Sequence, residues 1–305
     1  MNSRLKLSVR PGLLITGASG FVGHSAVALG RLSFDVVAAG RGERPNWLPS
    51  DVTWCPVDLL DRMSVGRLPA NMPFVLHLAS ETVPSQFVDY GPLINSVEMT
   101  LNLCRHLKSG RVLFASSCLV YGSSLDIITE DHQLSPRGHY GMAKAMCESI
   151  LLNATNIDGL VARPFNHIGP GMRPDLALPS IVRRLRDAND GAIIEMAGLD
   201  STRDFLDVED IVGAYFKILT ASDHSFRVFN VCSGSGTSIG KIVYTIASIL
   251  NKSIKGIKFT ERCNSADDTS TIIGNNVRLR NEIGWVQKYN VEQSLSRLIA
   301  ETRHL

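Results

Sequence analysis

Leu13-Leu14-Ile15-Thr16-Gly17-Ala18-Ser19-Gly20-Phe21-Val22-Gly23 is a short apolar run broken by a glycine turn. An apolar pattern of helical period follows, from Phe21 to about Leu32. A buried strand, a tight turn and a helix account for that order. The spacing G-x-x-G-x-x-G lets the backbone approach a diphosphate, and the helix start offers free N–H groups and the positive end of a dipole. The same glycines also suit a turn that only packs a helix closely on a strand. Its place between a strand and a helix in the first βα unit favours a nucleotide site.

Outward from this loop the rhythm repeats. Apolar runs at 36–39, 52–57, 74–79, 111–115 and 159–163 each end on Gly, Asp, Ser or Pro, and helical patterns at Leu93–Leu107 and Tyr140–Leu152 lie between them. Unbroken apolar strands alternating with helices predict an α/β fold, a Rossmann-like doubly wound parallel sheet. After Pro164 the rhythm changes. Helices are expected at 180–188, 209–220, 239–250 and 291–302, with strands at 193–196, 203–208 and 228–231. The expected division is a nucleotide-binding domain over 1–165 plus about 201–234, and a smaller mixed α/β substrate lobe over 166–200 and 235–305.

Composition narrows the function. The chain has 305 residues, 44% hydrophobic and 20% charged, with 31 basic and 29 acidic residues and a net charge of +2. That balance disfavours nucleic acid or a polybasic membrane anchor as partner. No apolar run approaches the roughly 18 residues of a membrane span, and the opening MNSRLKLSVRPG lacks the apolar stretch of a signal peptide. The six cysteines form no C-x-x-C pair, so no metal site is expected, and scattered thiols fit a reducing, cytoplasmic setting.

The second apolar run ends at Gly40-Arg41, with Arg44 nearby. An acid there would bond a ribose 2′-hydroxyl, whereas an arginine pairs with a 2′-phosphate, so NADP is favoured with NAD possible. Asp58-Leu59 suits the adenine amino group, although Asp58 could equally cap a helix. Tyr140-Gly141-Met142-Ala143-Lys144 puts a phenol and an ammonium on one helix face. The ammonium is expected to lower the phenol's pKa, so that Tyr140 exchanges a proton near neutral pH. Ser117, at a strand end, can hold a substrate oxygen beside it.

These pieces in this order resemble the extended short-chain dehydrogenase/reductase family, in its nucleotide-sugar epimerase, dehydratase and reductase branch. The resemblance rests on TGASGFVG (16–23), HLAS (77–80), SSCLVYG (116–122), YGMAK (140–144), RPFNHIGPG (163–171), RDFLDVED (203–210) and NVCSG (230–234). It implies Ser117, Tyr140 and Lys144 as the catalytic set. It places Gly17, Ser19, Gly20, Phe21, Val22, Gly23, Leu78, Ala79, Ser80 and Pro164 along the cofactor, with Asn166 on the sugar diphosphate. RPFNHIGPG followed by NVCSG is most similar to GDP-4-keto-6-deoxy-mannose reductases, which form GDP-rhamnose for deoxysugar and surface-polysaccharide synthesis. Cys118 and Leu119 stand where dehydratases of the family carry an acid pair, so dehydration is disfavoured. Cys118 is also out of step with the cysteine of GDP-fucose synthases and reads as a buried structural thiol. The branch's R-P-[SA]-D stretch has no arginine here, so Arg173, Arg203 or Arg262 is expected to hold the diphosphate, or the substrate differs. The leading expectation is an NADPH-dependent reductase of a nucleotide-linked 4-keto sugar that works as a homodimer. The alternatives are an NAD-dependent nucleotide-sugar 4-epimerase and a non-catalytic nucleotide-binding regulator.

Overall fold

A computed structural model describes residues 10–82, 87–122, 127–189, 198–223, 225–253 and 271–301. The first part runs β1 (Gly12–Thr16), α1 (Phe21–Gly30), β2 (Asp35–Gly40), β3 (Thr53–Pro56), α2 (Arg62–Val65), β4 (Asn71–His77), α3 (Gly91–His106), β5 (Ser109–Ala115), α4 (Gly138–Leu152) and β6 (Asp158–Pro164). It continues with β7 (Asn166–Ile168), α5 (Ala177–Asp187), β8 (Thr202–Asp207), α6 (Val208–Thr220), β9 (Val228–Val231) and β10 (Gly236–Ser238). The last elements are α7 (Ile239–Ile249), β11 (Thr271–Ile272), α8 (Val277–Ile283) and α9 (Val291–Glu301).

Seven strands form an all-parallel sheet in the order β3-β2-β1-β4-β5-β6-β9. Strand order reverses between β1 and β4, the place where ligands bind in doubly wound sheets. The strands read as continuous apolar runs because both faces are covered. Leu13, Ile15, Leu76, Leu113 and Leu160 point into one core with α1 and α6. Their neighbours Leu14, Val75, Val112, Phe114 and Val161 point into the other, with α3 and α4. This is the Rossmann-like α/β class expected from the sequence.

The second sheet is small and mixed: β8 pairs with β10 antiparallel, and with β7 and β11 in parallel. Strand β8 therefore does not return to the large sheet, as the 201–234 assignment had it; within that block β9 pairs in the large sheet and α6 packs on it. Conversely α8 and the Trp285 that follows it add Leu279 and Trp285 to the core under α1 and α6, although they lie in the stretch assigned to the lobe. Three- and two-residue strands carry no periodicity, so β7, β10 and β11 were not readable. The expected strand at 193–196 lies outside the described residues. Among the described residues no helix is long and apolar enough to cross a membrane.

Candidate active site

Parallel strands bring their carboxyl ends to one edge, and nearly every singled-out residue lies there. Gly17 adopts a φ of +69°, and a Cβ on it would come within 2.7 Å of Ala79 N. A Cβ on Gly23 would come within 2.3 Å of Gly17 O. Both glycines are thus demanded by the chain's own packing. Gly20 is different: it is exposed, and as N-cap of α1 it leaves the helix start without a side-chain cap or an acidic residue in the first turn. The uncapped N–H groups and the glycine backbone fit a diphosphate. Ser19 is exposed beside them.

Under the loop, His77 is fully buried, with Nδ1 2.7 Å from Thr16 Oγ1 and Nε2 3.1 Å from Thr100 Oγ1. The Thr100 hydroxyl donates to Ser96 O at 3.0 Å, so Nε2–H donates to Thr100 and Nδ1 accepts from Thr16. Burial, reinforced by the Lys144 charge, pushes the His77 pKa down to about 3. It is a neutral brace joining β4 to the glycine turn and α3. Leu78 and Ala79 continue that strand end, and Ser80 Oγ donates to Glu81 O.

Arg41 follows β2, is exposed, and makes no hydrogen bond or ion pair among the described residues. Arg44 is committed elsewhere: its guanidinium donates to Val52 O at 2.8 Å and Pro49 O at 2.6 Å, bracing its own loop. Asp58 Oδ1 accepts the Leu60 N–H, and the helix cap that Asp58 could have made is made by Asp61. The Leu59 side chain is core, and its carbonyl accepts from Asn102 Nδ2 at 2.9 Å.

Ser117, Tyr140 and Lys144 come together at the ends of β5 and α4. Ser117 Oγ accepts the Leu119 N–H at 3.2 Å, which leaves the hydroxyl hydrogen to donate. Gly122 sits at φ +75°, where a Cβ would lie 2.4 Å from Ser135 O, and Gly141 lets α4 approach, since a Cβ there would lie 2.8 Å from Leu119 O. Tyr140 is held edge-on by Phe87, ring centroids 5.3 Å apart. Burial pushes its pKa up to about 12, partly offset by the Ser117 hydroxyl, while Cys118 adds to the rise. The expected acidification is therefore reversed in the protein alone. Lys144 donates to Ala115 O at 2.9 Å and sits 5.8 Å from the Tyr140 ring centroid, so its charge is spent on a carbonyl rather than on the phenol. Burial draws Lys144 itself down to about 8. Cys118 is buried, with its thiol pushed up to about 12 by burial first, and is inert.

Pro164 ends β6 in the core, and Asn166 opens β7 half-buried. The sequence reading passed over His167, whose ring lies 6.3 Å from that of Phe21; burial holds its pKa down to about 4. Its signal was a histidine beside Asn166 at a strand end. Arg203 lies on β8 and donates to Thr202 O, and its charge reaches Cys118, behind Ser117. Arg173 is paired with Asp175 at 3.4 Å on the surface. Arg262 lies outside the described residues.

Comparison with known proteins agrees with this geometry. Residues 13–232 match the family described as NAD dependent epimerase/dehydratase. The chain is 32% identical to GDP-6-deoxy-D-mannose reductase of Pseudomonas aeruginosa, over 95% of this chain and 96% of that one. It is 30% identical to GDP-6-deoxy-D-talose 4-dehydrogenase of Aggregatibacter actinomycetemcomitans, over 89% and 91%. The solved structure of RMD from Pseudomonas aeruginosa complexed with NADPH superposes with a TM-score of 0.81 at 31% identity, covering 96% of this chain and 99% of that one.

Proposed function

The chain belongs to the NAD dependent epimerase/dehydratase family and is an NAD(P)-dependent oxidoreductase of the extended short-chain kind, and from that premise we propose that it reduces a nucleotide-linked 4-keto-6-deoxy sugar, GDP-4-keto-6-deoxy-mannose, with NADPH. The observation that carries the reading is the convergence of Ser117, Tyr140 and Lys144 beside an uncapped glycine-loop helix, with Cys118 and Leu119 where an acid pair would serve dehydration. The names of the relatives support the GDP sugar.

The cofactor's diphosphate is assigned to the N–H groups that follow Gly20, its 2′-phosphate to Arg41, and its nicotinamide ribose to Lys144. When bound, the reduced nicotinamide supplies hydride to the keto carbon. Ser117, its own oxygen already accepting from Leu119, donates its hydroxyl hydrogen to the keto oxygen and orients it. Tyr140 holds its proton at neutral pH and gives it to the oxygen as negative charge develops there. The test is incubation with NADPH and a panel of 4-keto nucleotide sugars, following NADPH absorbance. Turnover is expected with the GDP-linked 4-keto-6-deoxy sugar; activity that needs no added nicotinamide would establish the epimerase instead.

Arg41→Ala is expected to weaken NADPH by about 1.5–3 kcal/mol, the range of one charge-assisted contact, and to weaken NADH far less. Fluorescence titration of both cofactors checks this, and an equal loss for the two would remove Arg41 from the phosphate site.

We also assign a homodimer, joined through α3 and α4. From the sequence, the apolar residues Leu93, Val97, Leu101, Met142 and Met146 are the ones expected to face the partner, and of these Leu93 is instead buried inside the protomer against Phe87 and Ala143. The outward apolar residues are Ile94, 54% exposed, Met142, 41%, and Met146, 45%. Such a stripe on adjacent helices supports self-association. Light scattering is expected to give twice the 33.3 kDa chain mass, and Met146→Glu to give the monomer. A single 33.3 kDa species for the unaltered chain at micromolar concentration contradicts the assignment. The five described cysteines are unpaired, which supports a cytoplasmic setting.

A further inference from the structure

Three consecutive residues of β5 and the turn after it meet three residues of one face of α4, spaced four apart. Ala115 O accepts from Lys144 Nζ at 2.9 Å, Ser116 Oγ donates to Glu148 Oε1, and the Ser117 hydroxyl faces Tyr140. Of the three α4 residues Glu148 is the one the proposed reaction does not use, and it is 2% exposed. Its carboxylate is held from the far side by Arg163, with Nη2 at 2.6 Å and Nε at 3.0 Å. Arg163, on β6 and directly before Pro164, donates a further hydrogen bond to Tyr121 Oη at 2.8 Å, and Tyr121 donates to Asn230 Oδ1 on β9 at 2.7 Å. A buried carboxylate is retained only when its acceptor sites are filled, and a geometry this complete fixes the height of a helix against a sheet.

We propose that Glu148 is a positioning residue: with Ser116 and Arg163 it sets the height of α4 against the ends of β5 and β6, and so the placement of Tyr140 and Lys144 relative to Ser117. The proposal rests on the reading of Ser117, Tyr140 and Lys144 as the reacting set. A second consequence follows from charge. Lys144 is faced by Cys147 and Glu148 from its own helix, by Tyr140 one turn before, by His77 from β4 and by His167 from β7, with Arg163 of β6 behind Glu148. Burial lowers its pKa, and Cys147 and Glu148 oppose that fall. Removing the Glu148 charge takes away a force that keeps the ammonium protonated, so the ammonium is lost at a lower pH.

The experiment compares Ser116→Ala, Glu148→Gln and Tyr140→Phe with the unaltered enzyme. Ser116→Ala removes one hydroxyl and keeps the ion pair, so it folds. Its kcat is expected to fall about tenfold, and that of Glu148→Gln about 10- to 100-fold, the scale of a displaced catalytic group, with the sugar KM nearly unchanged in both. NADPH binding, measured by fluorescence without sugar from neutral to alkaline pH, is expected to fade at lower pH in Glu148→Gln and at an unchanged pH in Ser116→Ala. Unaltered kcat per folded molecule in Ser116→Ala overturns the proposal, even if Glu148→Gln does not fold. So does an unmoved alkaline midpoint in a folded Glu148→Gln. Tyr140→Phe separates the two readings. If it is inactive while Ser116→Ala and Glu148→Gln match the unaltered enzyme, positioning fails and the reaction stands. If it is fully active, the reaction itself has been misread.

Discussion

Tyr140→Phe lowers kcat by about 10²–10⁴-fold, the range for a lost general acid–base group, and leaves NADPH binding within a small factor of its original strength. The substitution keeps the ring, and with it the edge contact to Phe87, and removes only the hydroxyl. Because burial holds the Tyr140 pKa up to about 12, the phenol is fully protonated at neutral pH and no activity is lost there through early ionisation. Single-turnover kinetics with a confirmed sugar substrate, alongside a cofactor titration, measures both parts. Turnover at the original rate would falsify the Tyr140 assignment and reduce the site to a nucleotide-binding fold. Lys144→Ala is expected to harm turnover and cofactor binding together, because the ammonium that holds the Ala115 carbonyl is also the one proposed for the ribose.

Arg163→Ala is expected to destabilise the protein by about 3–5 kcal/mol, the usual cost of leaving a buried ion without its partner. The Glu148 side chain is 3% exposed and would keep only the Ser116 hydroxyl. Tyr121 would lose a donor in the same step, because its hydroxyl accepts from Arg163. For a chain of this length the midpoint of thermal unfolding should fall by about 5–10 °C. Glu148→Gln combined with Arg163→Met removes both charges and should recover much of the loss, since a neutral pair of similar volume carries no uncompensated charge. Scanning calorimetry of the single and double variants decides the matter. An Arg163→Ala protein that melts with the unaltered one would mean that water or a shifted proton compensates Glu148.

The sequence revealed what is written locally. The glycine turn, the apolar strands and the residues that end them are set by neighbours within a few positions, and they placed the sheet edge and the Ser117, Tyr140 and Lys144 set. It did not reveal what depends on distant packing. Glu148 reads as an ordinary helix acid until Arg163 of another strand is found against it; its position four residues after Lys144, on the face already shared with Tyr140, was the available sign. The direction of the Tyr140 shift failed for the same reason. Spacing shows an ammonium nearby, but not that a backbone carbonyl holds it or how deeply the phenol is buried. Leu93 and Ile94 are adjacent, and only the turn of α3 relative to α4 decides which faces outward.

Strand β8 has a consequence for how this chain tolerates change in length. Phe205 points into the core of the small lobe and Leu206, the next residue, into the core under α1 and α6. A deletion or insertion of one residue inside 202–207 would exchange these two faces, inverting both cores in a single step. Asp204, which receives hydrogen bonds from Ser233, Gly234 and Gly274, would leave all of them. Natural length variants should therefore be missing from this strand, and its diversification is left to exchanges of side chain in a frame that cannot slide.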